Sequence, residues 1–473
     1  MVEKSTHSIN TQGSTEQRRS TTLSSVFANR GFLNLWINQI LIQLSFNSLN
    51  FALIIWVFTL TGSNTAVSAL LFAIYLPAVI LGLFAGVLVD VIDRKKIILT
   101  INFFLSLLFF SLIFLKESYP AILIVTFFIN ALGQFYAPAE ASAIPLVVKK
   151  NQLITANSIF STTLYSCFLI GFGLAGPLIN HLGIDFVFGF EGVTLALGFI
   201  FAMTFPSIIA NPDEAGKNLI AALKKGKYSD IKQIGFFEIV KTMRLIKGKL
   251  SVLTSIIILA GVQMVIGILA VLVPGFLENT LRIKATEASY VLIIPLGVGI
   301  VTGGLILGKI AHRFIRRILV GRAIIFVGLL FFLVGVAPII SPAIKYFHKP
   351  KALSFFTQPS LSSILVVGSF LLGIAMVSIL VPTQTVLQEN TADNDRGKVF
   401  SVLGVAMSGL SLIPVFLAGV LADLFGTAPI FIGLGALIML VGFFGLNPGL
   451  FFPGKELKDS TKEFLGMGHW KRK

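Results

Sequence analysis

Charge is what this chain has least of. Asp, Glu, Lys and Arg make up 12% of its 473 residues, against about 25% in a typical soluble domain. A surface so poor in charge faces something other than water. Cysteine is nearly absent: Cys167 stands alone in the sequence, which excludes a disulfide framework and any cysteine-built metal centre. The five histidines are scattered singly, without metal-ligand spacing, and no cofactor is expected. Acids are scarcer than bases, 21 against 37, so the formal net charge is +16. The first 31 residues lack an apolar run and are rich in Ser, Thr and Asn. That excludes a secretory signal peptide and reads as a disordered cytosolic tail.

Hydrocarbon takes the place of charge. Hydrophobic residues make up 55% of the chain, and 44 positions are Phe. A helix that crosses a bilayer needs about 20 apolar residues. Twelve stretches qualify: 33–60, 67–89, 97–115, 121–147, 158–181, 186–205, 251–277, 288–310, 318–340, 361–388, 399–424 and 428–446. If both ends lie in the cytoplasm, 31 of the 37 basic residues fall inside. Lys116, Arg282, Lys284, Lys345, Lys349 and Lys351 are the six left outside. Positive residues favour the cytoplasmic side, so the expected topology is N-in and C-in across the plasma membrane. Anionic headgroups of the lipid bilayer then account for the positive charge, and nucleic acid is not an expected partner.

The predicted organisation is all-α: a tail 1–31, a six-helix bundle 32–206, a cytoplasmic linker 207–250, a second six-helix bundle 251–448 and a tail 449–473. A monomer is expected. In the linker, Phe236, Phe237, Val240, Met243 and Ile246 recur at near-helical spacing among Lys241, Arg244, Lys247 and Lys249. That pattern fits an amphipathic surface helix and an ordinary linker helix equally.

The two halves repeat. Pro77 and Gly86 lie nine apart in helix 2, as do Pro295 and Gly304 in helix 8. Pro138 of helix 4 matches Pro382 of helix 10. Ser158, Ala175, Gly176 and Gly183 match Ser401, Ala418, Gly419 and Gly426 at one constant offset. A six-plus-six parallel repeat predicts two bundles facing each other across a central cavity, with substrate near the midplane and rocking halves exposing it alternately.

Polar groups inside a membrane are costly and mark function. Gln39, Gln43, Asn47 and Asn50 share one face of helix 1. They read either as cavity lining or as interhelical hydrogen bonds, which use the same residue types. Gln263 falls near the repeat-related place of Gln43 and carries both readings. Asn130, Gln134 and Tyr165 are further cavity candidates. Two acids are embedded: Glu140 in the cytoplasmic half of helix 4 and Glu191 in the outer part of helix 6. Each is a candidate to bind and release a proton, and each also reads as a structural ion pair or gate latch. For Glu140 the rival is a lasting pair with a base such as Lys149. Gln384 replaces Glu140 in the second half, so the repeat itself does not demand the acid.

Helix 2 ends in Gly86-Val87-Leu88-Val89-Asp90-Val91-Ile92-Asp93-Arg94-Lys95-Lys96. This resembles the signature loop of the major facilitator superfamily, with matches at Gly86, Leu88, Asp90, Arg94 and Lys95 and departures at Val91 and Asp93. Further segments resemble the drug:proton antiporter branch that includes macrolide-efflux and enterobactin-exporter types. They are Thr61-Gly62-Ser63, Pro138-Ala139 with Pro145, Ala156-Asn157, Gly176-Pro177, Arg396-Gly397-Lys398-Val399-Phe400, and 419–426. The resemblance covers about residues 30–448. It implies the major facilitator fold, a gating role for Gly86, Asp90, Arg94 and Lys95, and export of an amphipathic small molecule, with protons as the candidate coupling ion. Many relatives carry an acid in helix 1 where this chain has Asn47. An amide cannot titrate, so any proton coupling must rest elsewhere. Lysophospholipid or siderophore movement is the alternative transport reading, and a non-transporting scaffold or sensor is the alternative of another class.

Enzymatic chemistry finds no support. Gly303 to Lys309 fits G-x-x-x-x-G-K, but Ile310 stands where a P-loop needs Ser or Thr, and the run lies in an apolar helix. His181 and Asp185 fall one residue short of an acyltransferase pair. No hydrolytic triad is present.

Overall fold

The computed structural model describes residues 23–89, 92–205, 249–310, 315–347, 361–391 and 396–446. Asp90 and most of the 207–250 linker, with its proposed surface helix, lie outside the described residues. A helical turn at Leu23–Phe27 precedes twelve long helices. In the first half these are α1 (Arg30–Thr61), α2 (Asn64–Val89), α3 (Arg94–Leu115), α4 (Tyr119–Val147), α5 (Leu153–Leu182) and α6 (Ile184–Met203). In the second they are α7 (Leu250–Gly275), α8 (Ile294–Ile310), α9 (Arg316–Phe347), α10 (Leu361–Glu389), α11 (Arg396–Phe425) and α12 (Thr427–Leu446). A π-helical turn, Phe276–Leu281, prolongs α7, and another, Ser289–Ile293, leads into α8. All twelve spans expected from the sequence are present as helices long and apolar enough to cross a membrane, and no strand occurs among the described residues.

Hydrocarbon is the solvent that this surface requires. Large apolar side chains are exposed along most of the long helices, Phe114 to 86% and Ile413 to 70%, far beyond the scattered singles of a water-facing surface. Helices bond their interior backbone groups within themselves, which meets the bilayer's demand that no peptide polar group face lipid.

The near face is the one where α1 begins, and the far face is the one where α1 ends. At the near face one joint is built twice. The Lys95 ammonium, at the start of α3, donates to the carbonyls of Met203 and Phe205 at the end of α6. Arg317, at the start of α9, donates to the carbonyls of Gly445 and Leu446 at the end of α12. In both halves a cation sits on the negative end of a helix dipole and satisfies orphan carbonyls. The neighbouring arginines tie in the adjacent helix: Arg94 donates to Ser142 of α4, and Arg316 forms a two-pronged pair with Glu389 of α10. At the far face Gly183 and Gly426, matched in the sequence repeat, end α5 and α11 with φ of 82° and 85°. A Cβ strains this left-handed backbone, so glycine recurs at both places.

Candidate functional site

The two halves are pinned together at the far face. The Asp423 carboxylate, at the end of α11, reaches the start of α2. It accepts from the hydroxyls of Ser63 and Thr65, both at 2.6 Å, from the backbone N–H groups of Asn64 and Thr65 at 2.8 and 2.9 Å, and from the Asn64 amide at 2.8 Å. An acid of one half thus caps a helix of the other, where orphan N–H groups and the helix dipole both favour a negative charge. One turn deeper, the Ser68 hydroxyl donates to the Val415 carbonyl. Gly419 lets α11 lie against Ser68 and Asn64, where a side chain would collide with both. Deeper still, Gln263 of α7 donates to the Tyr75 hydroxyl of α2 at 3.2 Å, and Gly267 leaves room for that phenol. The α2–α11 seam continues through Val79 against Gly409 to Gly82 against Val405.

The α5–α8 seam is built from Gly176, Gly173 and Leu169 against Ser289, Ile294 and Gly297. Ser289 accepts from the Gly176 N–H and donates to the Phe172 carbonyl. The same stripe of α5 continues towards the near face as Tyr165, Thr162 and Ser158, at helical spacing from Leu169, and all three are exposed. Along one helix face, then, tight packing at the far side gives way to an open, hydroxyl-bearing surface at the near side. Tyr165, a cavity candidate, is 57% exposed there.

The helix 1 candidates divide. Gln43, Asn47 and Asn50 are half-buried. Asn47 bonds back to the Gln43 carbonyl at 2.6 Å, and the Asn50 carbonyl oxygen is buried without a partner. Gln39 is buried, and its amide donates to the Phe160 carbonyl of α5. Gln134 is half-buried, with its side-chain oxygen near Gly82 of α2. Asn130 is buried and bonds to the Thr126 carbonyl one turn back. Gln263 joins the halves as described.

Both acids lie inside the first half and away from the seams. Glu140 accepts from the Tyr136 hydroxyl at 2.7 Å. Asn38 of α1 donates to that hydroxyl at 2.9 Å, and Asn102 of α3 donates to Asn38 at 2.8 Å. Among the described residues the carboxylate's hydrogen-bond partner is this phenol, not Lys149. Glu191 is 1% exposed. The Ser45 and Ser48 hydroxyls of α1 face it without completing well-formed bonds, and one carboxylate oxygen and both hydroxyls are buried and unpaired. Of the residues expected to gate, Arg94 and Lys95 make the near-face joints of the first half, and Gly86 lies within α2.

Sequence reasoning passed over Asp423, Tyr75, Ser289 and the buried set Asn38, Asn102, Ser45 and Ser48. A signal for the last was present. Asn38, Ser45 and Ser48 stand at i, i+7 and i+10 of one apolar helix, a single face.

Comparison with known proteins places this architecture. The family model of the Major Facilitator Superfamily matches residues 35–347. Macrolide efflux protein A of Streptococcus pyogenes is 24% identical over 420 residues, 87% of this chain and 94% of that protein. Among solved structures, a POT family transporter in complex with a thioalcohol conjugated peptide superposes with a TM-score of 0.65 at 14% identity, over 90% of this chain and 96% of that one. The nucleoside transporter NupG gives 0.59 at 14% identity, over 90% and 99%. At such identities the structural likeness speaks for the fold alone.

Proposed function

The chain belongs to the major facilitator superfamily and is a multi-pass membrane transporter of small molecules, and on that premise we propose that it exports amphipathic, macrolide-like compounds by alternating access. The observation that carries this reading is the change along α5 from glycine-tight contact with α8 at the far face to the exposed Ser158, Thr162 and Tyr165 nearer the other. Two rigid bundles closed on one side and parted on the other are what alternating access requires of one of its states. The near face is cytoplasmic in this reading, since 31 of the 37 basic residues then lie inside, as the positive-inside rule demands of the plasma membrane. Substrate enters from the cytoplasmic side. It rests beneath the Tyr75–Gln263 contact, among the half-buried amides Gln43, Asn47, Asn50 and Gln134. It leaves when the Asp423 latch releases. Hydroxyls and amides on an apolar wall suit a ligand that is mostly hydrocarbon with a few polar groups. Protons are the coupling ion, carried by Glu140 and Glu191 because Asn47 cannot titrate. Gly86, Asp90, Arg94 and Lys95 form the cytoplasmic gate. The transporter works as a monomer.

The test is flux of a radiolabelled macrolide in proteoliposomes holding the purified chain. Accumulation driven by an imposed pH gradient, and counterflow without one, are the expected results. Absence of macrolide flux under both conditions, alongside movement of a lysophospholipid or a siderophore, overturns the substrate class. No flux of any of these places the transported compound outside all three classes.

A further inference from the structure

The two buried carboxyls stand in a telling relation. Glu140 lies seven residues from the near-face end of α4, and Glu191 seven residues from the far-face end of α6. At 1.5 Å per residue each is about 10 Å inside an opposite surface. Between them buried polar groups recur among the buried side chains of Ile42, Leu105 and Leu195. From Glu140 the bonded chain passes through Tyr136 to Asn38 and then to Asn102, with Gly198 of α6 beside both asparagines. One turn further along α3, Ser106 donates to the Gly192 carbonyl, next in sequence to Glu191. Ser45 and Ser48, two to three turns beyond Asn38 on α1, complete the set beside the Glu191 carboxyl. The members are nine-tenths buried or more, inside a bundle otherwise packed with hydrocarbon. The side-chain oxygens of Asn102, Ser45, Ser48 and Glu191 include buried atoms with no protein partner. Such atoms call for water. Polar chains of this kind, ending in acids, mark proton relays in membranes.

We propose that Glu140 and Glu191 are the two ends of one proton path that runs through the interior of the first half, between α1, α3, α4 and α6, separate from the substrate cavity. It rests on the transport reading above only for its purpose, since its geometry involves no substrate. A proton from far-face water joins the Glu191 carboxylate. It passes along the hydroxyls and the waters held between the polar groups, reaches the Glu140 carboxylate and leaves into near-face water. The asparagine amides anchor those waters and exchange no proton themselves. The groups facing the ends are few. Glu140 meets the Tyr136 phenol on its own helix and lies near the Cys167 thiol of α5. Glu191 meets Ser45 and Ser48. Among the described residues neither acid has an ion-pair partner.

A hydrophobic carbodiimide, which modifies protonated carboxyls in apolar surroundings, reads this path without any substrate. In sealed proteoliposomes of uniform orientation, acidifying the far side alone should raise modification of Glu140 about threefold or more, because its protonation follows the proton activity it senses. Glu191→Gln and Asn102→Leu should abolish that response while keeping the response to near-side acid, which shows the fold intact. A far-side response that survives both substitutions, or its absence from the wild-type protein, overturns the path. Should Asn102→Leu lose both responses, its lesion is structural. Ser45→Ala with Ser48→Ala then decides by the same measurement, and an undiminished far-side response refutes the proposal. Failure of macrolide flux leaves this outcome unaffected, so the two readings fall separately.

Discussion

Replacing Asp423 with alanine removes the acceptor that joins α11 to the start of α2. Five donors converge on that carboxylate, two of them backbone N–H groups of a helix N-terminus. Hydrogen bonds to a charged group are worth about 1.5–3 kcal/mol each when well shielded. Asp423 is exposed, so water replaces much of what is lost and screens the rest. The closer reference is loss of a helix N-cap, about 0.5–2 kcal/mol, with about 0.3–1 kcal/mol more for a charge on the dipole. Together these give about 2 kcal/mol. The donors meet Asp423 only when the far face is closed, so the whole amount bears on the equilibrium between closed and open. A shift of about 2 kcal/mol changes that ratio about thirtyfold. Spin labels at Thr61 and Arg282, both exposed at the far face, report it as growth of a longer distance in pulsed electron–electron resonance. Asp423→Asn should fall between, since an amide keeps one acceptor oxygen but turns an NH₂ group towards donors. A distance distribution unchanged in Asp423→Ala would refute the latch and leave Asp423 a bystander at the loop.

Gly419→Val should act in the same direction and more strongly, because its side chain collides with Ser68 and the Asn64 carbonyl in the closed seam; normal closure in the same resonance measurement counts against this packing. Asp90→Asn should cut transport about tenfold with insertion intact, if the carboxylate has the gating role that the motif resemblance implies, because a neutral amide cannot supply its charge; equal flux at equal expression would show that the acid only marks topology. A maleimide that cannot cross the membrane should label Asp185→Cys from outside intact cells and leave Lys96→Cys untouched until the cells are opened. The reverse pattern would invert the orientation.

The sequence alone was enough for the twelve spans, the two-fold repeat and the family resemblance. A span is a local property: some twenty apolar residues must bury their own backbone bonds in hydrocarbon whatever else surrounds them. The repeat is equally local, a matter of matched spacings such as Gly176 with Gly419 and Gly183 with Gly426. What Gly176 and Gly419 are for was not local. Each admits the opposite half at the far face, a contact between residues more than a hundred positions apart. The same limit divided the helix 1 amides. Gln39 and Gln43 share a stripe at helical spacing, yet a small difference in angle turns Gln39 onto the α5 backbone and leaves Gln43 half-buried. Asp423 looked like part of a family motif until folding set it on a helix it follows by some 360 residues. Periodicity reports which residues share a face of one helix, because the backbone geometry alone fixes that. Which neighbour the face meets depends on the packing of all twelve helices at once. For that reason the latch, and the buried polar groups between Glu140 and Glu191, emerged only from the tertiary structure.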